Sequence, residues 1–367
     1  MNIVFFMNYA RRGGAEIYIY TLMNELKKKG IVSSIISGSE TKVIEGSWKN
    51  YKINMLWIDQ GLLERLPFFK RVIWVFRYFF FFFDFLARLK VLSKADYFVC
   101  QQPWPSSFAL FCAKLLRKKV YILVHHIIDT EYSPLIQHQL DDSINFIAVT
   151  NEVKNHLVSK LSRSNIAVLP NPIESFDPGY RLKKTKRQKT KTITMISHVY
   201  DKKSASVVNF CKVSKRFPDF SFQIIGECSS GFSKELIKKY GQSINFRGLM
   251  GRNDLYRSIL ESDVVVGVGR SAIESVMLGK TVVIAGHIVG RNGGNFGGVV
   301  NSENFQEISE YNYSGRHSNE LITEELLAES IRCGVENIGP IIKPELYRVH
   351  SPKLVCQNFL EILGGRK

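Results

Sequence analysis

The residues best suited to chemistry lie between 264 and 285. Val264-Val265-Val266 runs into Gly267-Val268-Gly269-Arg270-Ser271, then through Glu274 to Lys280, and then into Thr281-Val282-Val283-Ile284-Ala285. The two β-branched runs read as strands covered on both faces. Between them the glycines permit a tight turn and the close approach of a ligand. Ser271 is the expected N-cap of a short helix, whose free N–H groups would receive an anion. Arg270 stands beside that positive helix end, and Glu274 follows one turn further in. A diphosphate joined to a ribose suits such a place. Any strand-to-helix connection can also use a glycine turn, so this stretch alone leaves a purely structural role open.

Other loops carry comparable groups. The strand Ile3 to Met7 leads to Gly13-Gly14-Ala15-Glu16 and a helix with Ile17, Tyr20, Met23 and Leu26 on one face. Open α/β sheets bind ligands at such a strand's carboxyl end. The spacing is not G-x-G-x-x-G, so a nicotinamide site is not indicated; Gly13 and Gly14 either face a ligand or make a sharp turn. The strand Val120 to Val124 ends in His125-His126, where substrate contact and a structural role both remain open. Further on come the loop His198 to Lys203, the turn Gly226-Glu227 and a glycine-rich stretch, Gly290 to Gly298.

The elements needed to hold these loops recur along the chain. At 367 residues, the length suggests two domains. Apolar residues at 45% and charged residues at 23% describe a globular protein rather than a disordered one. Strand and helix patterns alternate twice, once before and once after a basic run that includes Arg181, Lys183, Lys184, Lys186, Arg187, Lys189 and Lys191. The expected divisions are an N-terminal Rossmann-like domain over 1–175, a basic linker over 176–191, a C-terminal Rossmann-like domain over 192–345, and a final helix within 346–367 that could pack back on the first domain. Helices are expected over about Glu320 to Glu336 and Pro352 to Leu363.

The net charge of +17 calls for anionic partners. No nucleic-acid-binding motif accompanies it, and none is expected to bind. The six cysteines are scattered, with no C-x-x-C pair, which fits reduced thiols and argues against a structural zinc site. Met1 to Met7 reads as a first strand rather than a signal peptide. Residues 65–94 are densely aromatic with one narrow polar stripe of Lys70, Arg77, Asp84 and Arg88, too short in apolar run to span a bilayer but suited to its headgroup region. A core helix whose cations snorkel outward is the alternative.

The order of these motifs resembles the two-domain GT-B glycosyltransferases, in particular the large retaining group called family four. Gly13-Gly14-Ala15-Glu16 is similar to that family's G-G-x-E loop, and Val124-His125-His126 to its strand ending in histidine. Ala148 to Lys154, Pro170-Asn171-Pro172-Ile173, Ile224 to Glu227 and Phe246-Arg247-Gly248 resemble further family segments, and Glu274 to Lys280 resembles its E-A-M-A-x-G-x-P helix. Two departures stand out. The first of the family's paired glutamates falls at Val266, and the arginine of its G-R-L-x-x-x-K loop falls at His198, while Lys203 keeps the lysine.

The resemblance implies two Rossmann-like, doubly wound α/β domains facing a central crevice. It also implies transfer of a hexosyl unit from a nucleoside-diphosphate sugar to a glycan, with retention and without metal or other cofactor. His125, His126, Lys203 and Arg270 would be catalytic. Gly13, Gly14, His198, Lys203, Gly226, Gly269, Arg270, Ser271 and Glu274 would hold the donor. The aromatic helix suggests a lipid-linked acceptor in bacterial surface polysaccharide assembly, with the protein cytoplasmic and peripheral on the inner membrane face. Val266 and His198 keep a catalytically decayed partner subunit in view, and a nucleotide-sugar epimerase would bind the same donor.

Overall fold

A computed structural model describes residues 1–7, 13–38, 50–52, 69–101, 106–127, 144–161, 164–174, 190–200, 204–286, 293–336 and 344–364, giving the backbone alone at 50–52, 69–80, 106, 204 and 344–345. The chain forms two compact units. One comprises Met1–Val149, Val153–Pro172 and Pro352–Lys367; the other comprises Thr150–Glu152 and Ile173–Ser351.

The first unit begins with β1 (Asn2–Met7), α1 (Gly14–Lys28), β2 (Val32–Ser37) and β3 (Asn50–Lys52). It continues through α2 (Phe69–Lys94), β4 (Tyr97–Gln101), α3 (Ser106–Leu116) and β5 (Lys119–Val124). Last come β6 (Ile144–Ala148), α4 (Asn151–Leu161) and β7 (Ala167–Val168). The strands form one parallel sheet in the order β3-β2-β1-β4-β5-β6-β7. Buried between helix layers, β1 and β5 are apolar almost throughout, as sheets covered on both faces require. The chain turns back between β1 and β4, the switch point at which such sheets leave a cleft.

The second unit repeats the plan with β8 (Thr192–Ile196), α5 (Ser204–Val213), β9 (Ser221–Ile225), α6 (Gly231–Tyr240), β10 (Ile244–Gly248) and α7 (Arg252–Glu261). It goes on through β11 (Val264–Gly267), α8 (Arg270–Met277), β12 (Thr281–Ala285), β13 (Asn295–Val299), α9 (Phe305–Glu310) and β14 (Glu320–Leu321). The helices α10 (Glu324–Glu336) and α11 (Pro344–His350) complete it. Its sheet runs β10-β9-β8-β11-β12-β13-β14, parallel through β12, after which β13 and β14 each run antiparallel to their neighbour.

Two expectations are corrected here. The glycine-rich stretch, expected as a loop over Gly290 to Gly298, is not one throughout: Asn295–Val299 pairs antiparallel with β12 on one side and, at Asn295 and Phe296, with β14 on the other. The helix expected from Glu320 instead starts at Glu324, and Glu320–Leu321 pairs with β13.

The last helix, α12 (Pro352–Gly364), belongs to the first unit. Val355, Cys356, Phe359 and Leu363 enter that unit's core, where Phe359 stacks on Phe5 of β1 at 6.3 Å. Tyr121 of β5 donates its hydroxyl to the Leu363 carbonyl at 3.1 Å, pinning the helix end.

Candidate functional site

In the second unit the carboxyl ends of β9, β8, β11 and β12 lie side by side, with the switch point between β8 and β11. The loops that leave them carry most of the donor-side residues. Between β11 and α8, Gly269 is the N-cap, at φ +57° and ψ −131°, a conformation in which any side chain is strained. Its N–H donates to the Tyr313 carbonyl at 3.0 Å, and its carbonyl accepts from the Ile273 N–H at 3.0 Å. Ser271 is therefore not the N-cap. The glycine turns the chain into the helix two residues earlier, and the Ser271 hydroxyl donates back to the Val268 carbonyl at 2.9 Å. The N–H groups of Arg270, Ser271 and Ala272 lie ahead of Ile273, whose N–H makes the first bond of the helix to Gly269.

Arg270 and Glu274 meet each other. The Arg270 Nε donates to Glu274 Oε1 at 2.8 Å, each side chain only 8% exposed. Tyr256 of α7 donates its hydroxyl to the same oxygen at 3.4 Å and accepts from the Arg252 Nε at 2.9 Å. Burial first, and then the Glu274 carboxylate, push the Tyr256 phenol up to about 12, so it stays protonated and remains a donor. Arg252 also pairs with Glu174 at 2.6 Å and approaches Glu274 at 3.9 Å. Glu174, Tyr256, Glu274 and Tyr347 line one small pocket beside α8. The sequence reading missed Glu174, Arg252 and Tyr256, which no local motif marks; only the fold brings α7 and the segment after β7 to Glu274.

On the other side of the switch point, the Glu227 N–H donates to His198 Nδ1 at 3.2 Å, and the Val199 N–H to the Glu227 carbonyl at 2.8 Å. These bonds fix the loop ends after β8 and β9 to one another. Gly226 lies so close to β8 that a Cβ there would run into the Ser197 carbonyl oxygen. Lys203 lies outside the described residues. Val266, where the family carries its first glutamate, is a fully buried residue of β11 paired with Val283.

The first unit holds the remaining residues. Gly13 is the extended N-cap of α1, Gly14 opens the helix, and Glu16 folds its carboxylate back over Gly13. His125 follows β5, 8% exposed and edge-on to Tyr18 at 5.0 Å. Burial, and secondarily the neighbouring His126, lower its pKa to about 3, so its imidazole is neutral at physiological pH. His126 lies next to it at the same strand end. Among the described residues, His125 Nε2 and the Nε2 of Gln101, 4% exposed at the end of β4, have no hydrogen-bond partner. Gln101 was not singled out by the sequence; its signal is a polar residue closing an apolar strand at the switch point. Among the described residues no group of three or more His, Cys, Asp or Glu side chains gathers as a metal site would.

Comparison with known proteins agrees with this layout. Residues 12–175 match the family described as Glycosyltransferase Family 4. No curated protein matches the chain by sequence. Among solved structures, Anabaena HepE in complex with UDP and glucose is 13% identical, with 99% of each chain covered and a TM-score of 0.69. WaaG, a glycosyltransferase involved in lipopolysaccharide biosynthesis, is 12% identical over 99% of this chain and 100% of its own, at 0.60. The UDP-GlcNAc 2-epimerase of Neisseria meningitidis is 14% identical over all of both chains, at 0.55. At such identities the likeness establishes the GT-B fold, two Rossmann-like domains with parallel-dominated sheets. The chain thus has the GT-B fold. Its residues 12–175 resemble, more particularly, a glycosyltransferase family 4 domain.

Proposed function

We propose that the second unit binds a nucleoside-diphosphate hexose and that the enzyme transfers the hexosyl unit to a glycan acceptor with retention of configuration. The observation that carries this is the start of α8, where a glycine-capped helix N-terminus opens at a switch point beside the buried Arg270–Glu274 pair. In the reaction the bond from the anomeric carbon to the diphosphate breaks, one to an acceptor hydroxyl forms, and that hydroxyl loses its proton. Charge develops on the departing diphosphate. The α8 N–H groups, Arg270 and Lys203 meet it, with no metal needed. Glu274 holds the ribose hydroxyls, positioned by Tyr256 and Arg252. Gly226 and His198 shape the wall opposite. His125, His126, Gly13 and Gly14 serve the sugar and acceptor, where the neutral His125 offers a hydrogen bond rather than a charge.

The acceptor is lipid-linked, in surface polysaccharide assembly, and the protein works peripherally at the inner membrane face. Support comes from the aromatic helix α2 and the charge of +17. No described helix is long and apolar enough to cross a membrane. The test is to incubate the protein with nucleotide sugars and follow the sugar by proton NMR. Slow hydrolysis that first yields the donor's own anomer supports retaining transfer. An inverted first product overturns retention, and conversion of one intact nucleotide sugar into its epimer overturns transfer itself.

A further inference from the structure

The helix α2 turns an apolar face to solvent. At 100° per residue, Phe82, Leu86 and Leu89 fall within roughly 60° of arc, and Phe83, Lys90 and Lys94 within the next 60° or so. Phe82 is 47% exposed, Phe83 52%, Leu86 47% and Leu89 38%; Lys90 and Lys94 are exposed as well. The opposite arc is anchored. Phe81, Phe85 and Leu92 are buried in the first unit's core, Phe81 packing edge-on to Phe108 at 5.2 Å and Phe85 to Phe111 at 6.1 Å. So the outward phenylalanines belong to a helix that is already fixed by its inner face. Two adjacent phenylalanines and two leucines held in water are more than scattered surface apolar residues.

We propose that this outer face of α2 is the surface by which the protein docks on an anionic lipid bilayer, with Phe82, Phe83, Leu86 and Leu89 entering the acyl boundary and Lys90 and Lys94 meeting acidic headgroups. Charge selects this occupant: lysines edge the patch, and the whole chain carries +17. A second copy of the chain would bring the same lysines and the same positive charge against it. The inference deepens the peripheral-membrane part of the reading above and rests on it, but not on the identity of the donor.

The experiment is flotation of the full chain with vesicles of phosphatidylcholine alone and of phosphatidylcholine mixed with phosphatidylglycerol. The protein binds the mixed vesicles and releases with salt. A Phe82→Ser, Phe83→Ser variant binds at least about tenfold more weakly. A Lys90→Gln, Lys94→Gln variant loses about 30-fold, at roughly fivefold for each of the two charges removed. Both variants keep the parent melting temperature, since each change is at an exposed position. Failure of the parent to bind either vesicle overturns the membrane reading. Binding that both variants retain overturns only the assignment to α2. A concentration-dependent dimer that the phenylalanine variant abolishes, seen by sedimentation, assigns the face to a second copy and overturns the proposal.

Discussion

Replacing Glu274 by alanine separates two things that its carboxylate does. In the parent the carboxylate accepts from Arg270 and Tyr256 and lies near Arg252, while Arg270 keeps only 8% of its side-chain exposure. Removing it leaves a nearly buried guanidinium without its counter-charge. Breaking a buried pair from one side costs about 3–5 kcal/mol, and the residual exposure puts this case near 3 kcal/mol. In a unit of this size each kcal/mol moves the melting temperature by about 2–4 °C, so the second unit's transition drops by about 6–12 °C. The double variant Arg270→Met, Glu274→Met removes both charges and refills the volume, so it returns to within about 1 kcal/mol of the parent. The double variant is then about 2 kcal/mol more stable than Glu274→Ala, a difference that thermal or urea melting reads directly. Nucleotide-induced stabilisation is lost in both variants, because the double restores packing but not the ligand-facing groups. If Glu274→Ala melts within about 2 °C of the parent, the pair is not the buried interaction described, and the argument for its role fails.

Three further outcomes follow from the same geometry. Tyr256→Phe removes one hydroxyl and costs about 1–2 kcal/mol of stability, because the Arg252 Nε loses an acceptor; in a transfer assay it raises KM for the donor more than it lowers kcat, as misplacing Glu274 would. Gly226→Ala forces a Cβ against the Ser197 carbonyl and destabilises the second unit by about 1–3 kcal/mol in urea melts, with loss of nucleotide binding. His125 makes the first unit acid-sensitive. Above about pH 6.5 its imidazole is neutral in both states; below that the unfolded chain takes a proton that the folded one refuses until about pH 3, so stability falls as pH drops, by at most about 1.4 kcal/mol per pH unit. His125→Phe flattens that slope in melts between pH 7 and 5, and an unchanged slope would count against the burial argument.

Much of the architecture is legible in the sequence because buried parallel strands are written as unbroken apolar runs. Ile3 to Met7, Val120 to Val124 and Val264 to Gly267 could hardly be anything else, and the order of loops between them points to the fold. The misreadings come where local chemistry is ambiguous. Asn295 to Val299 has the glycines of a loop yet forms an antiparallel strand, and its pairing depends on β12 and β14 rather than on its own residues. Ser271 looks like a cap, but Gly269 takes that place through a left-handed φ that no spacing rule reveals. The contacts around Glu274 come from Glu174 and Tyr256, 100 and 18 residues away, so only the tertiary fold assembles them. Glu174 enters through Arg252, a link no motif carries.

The most direct measurement is the melting curve of the full chain against a panel of nucleoside diphosphates and their sugars. The account predicts that one nucleotide class raises the transition of the second unit. At a thousandfold excess over Kd the stabilisation is about 4 kcal/mol, or about 8–16 °C. That shift disappears with Glu274→Ala. If no nucleoside diphosphate or nucleotide sugar moves the curve, the start of α8 is not a donor site and the proposed reaction loses its substrate.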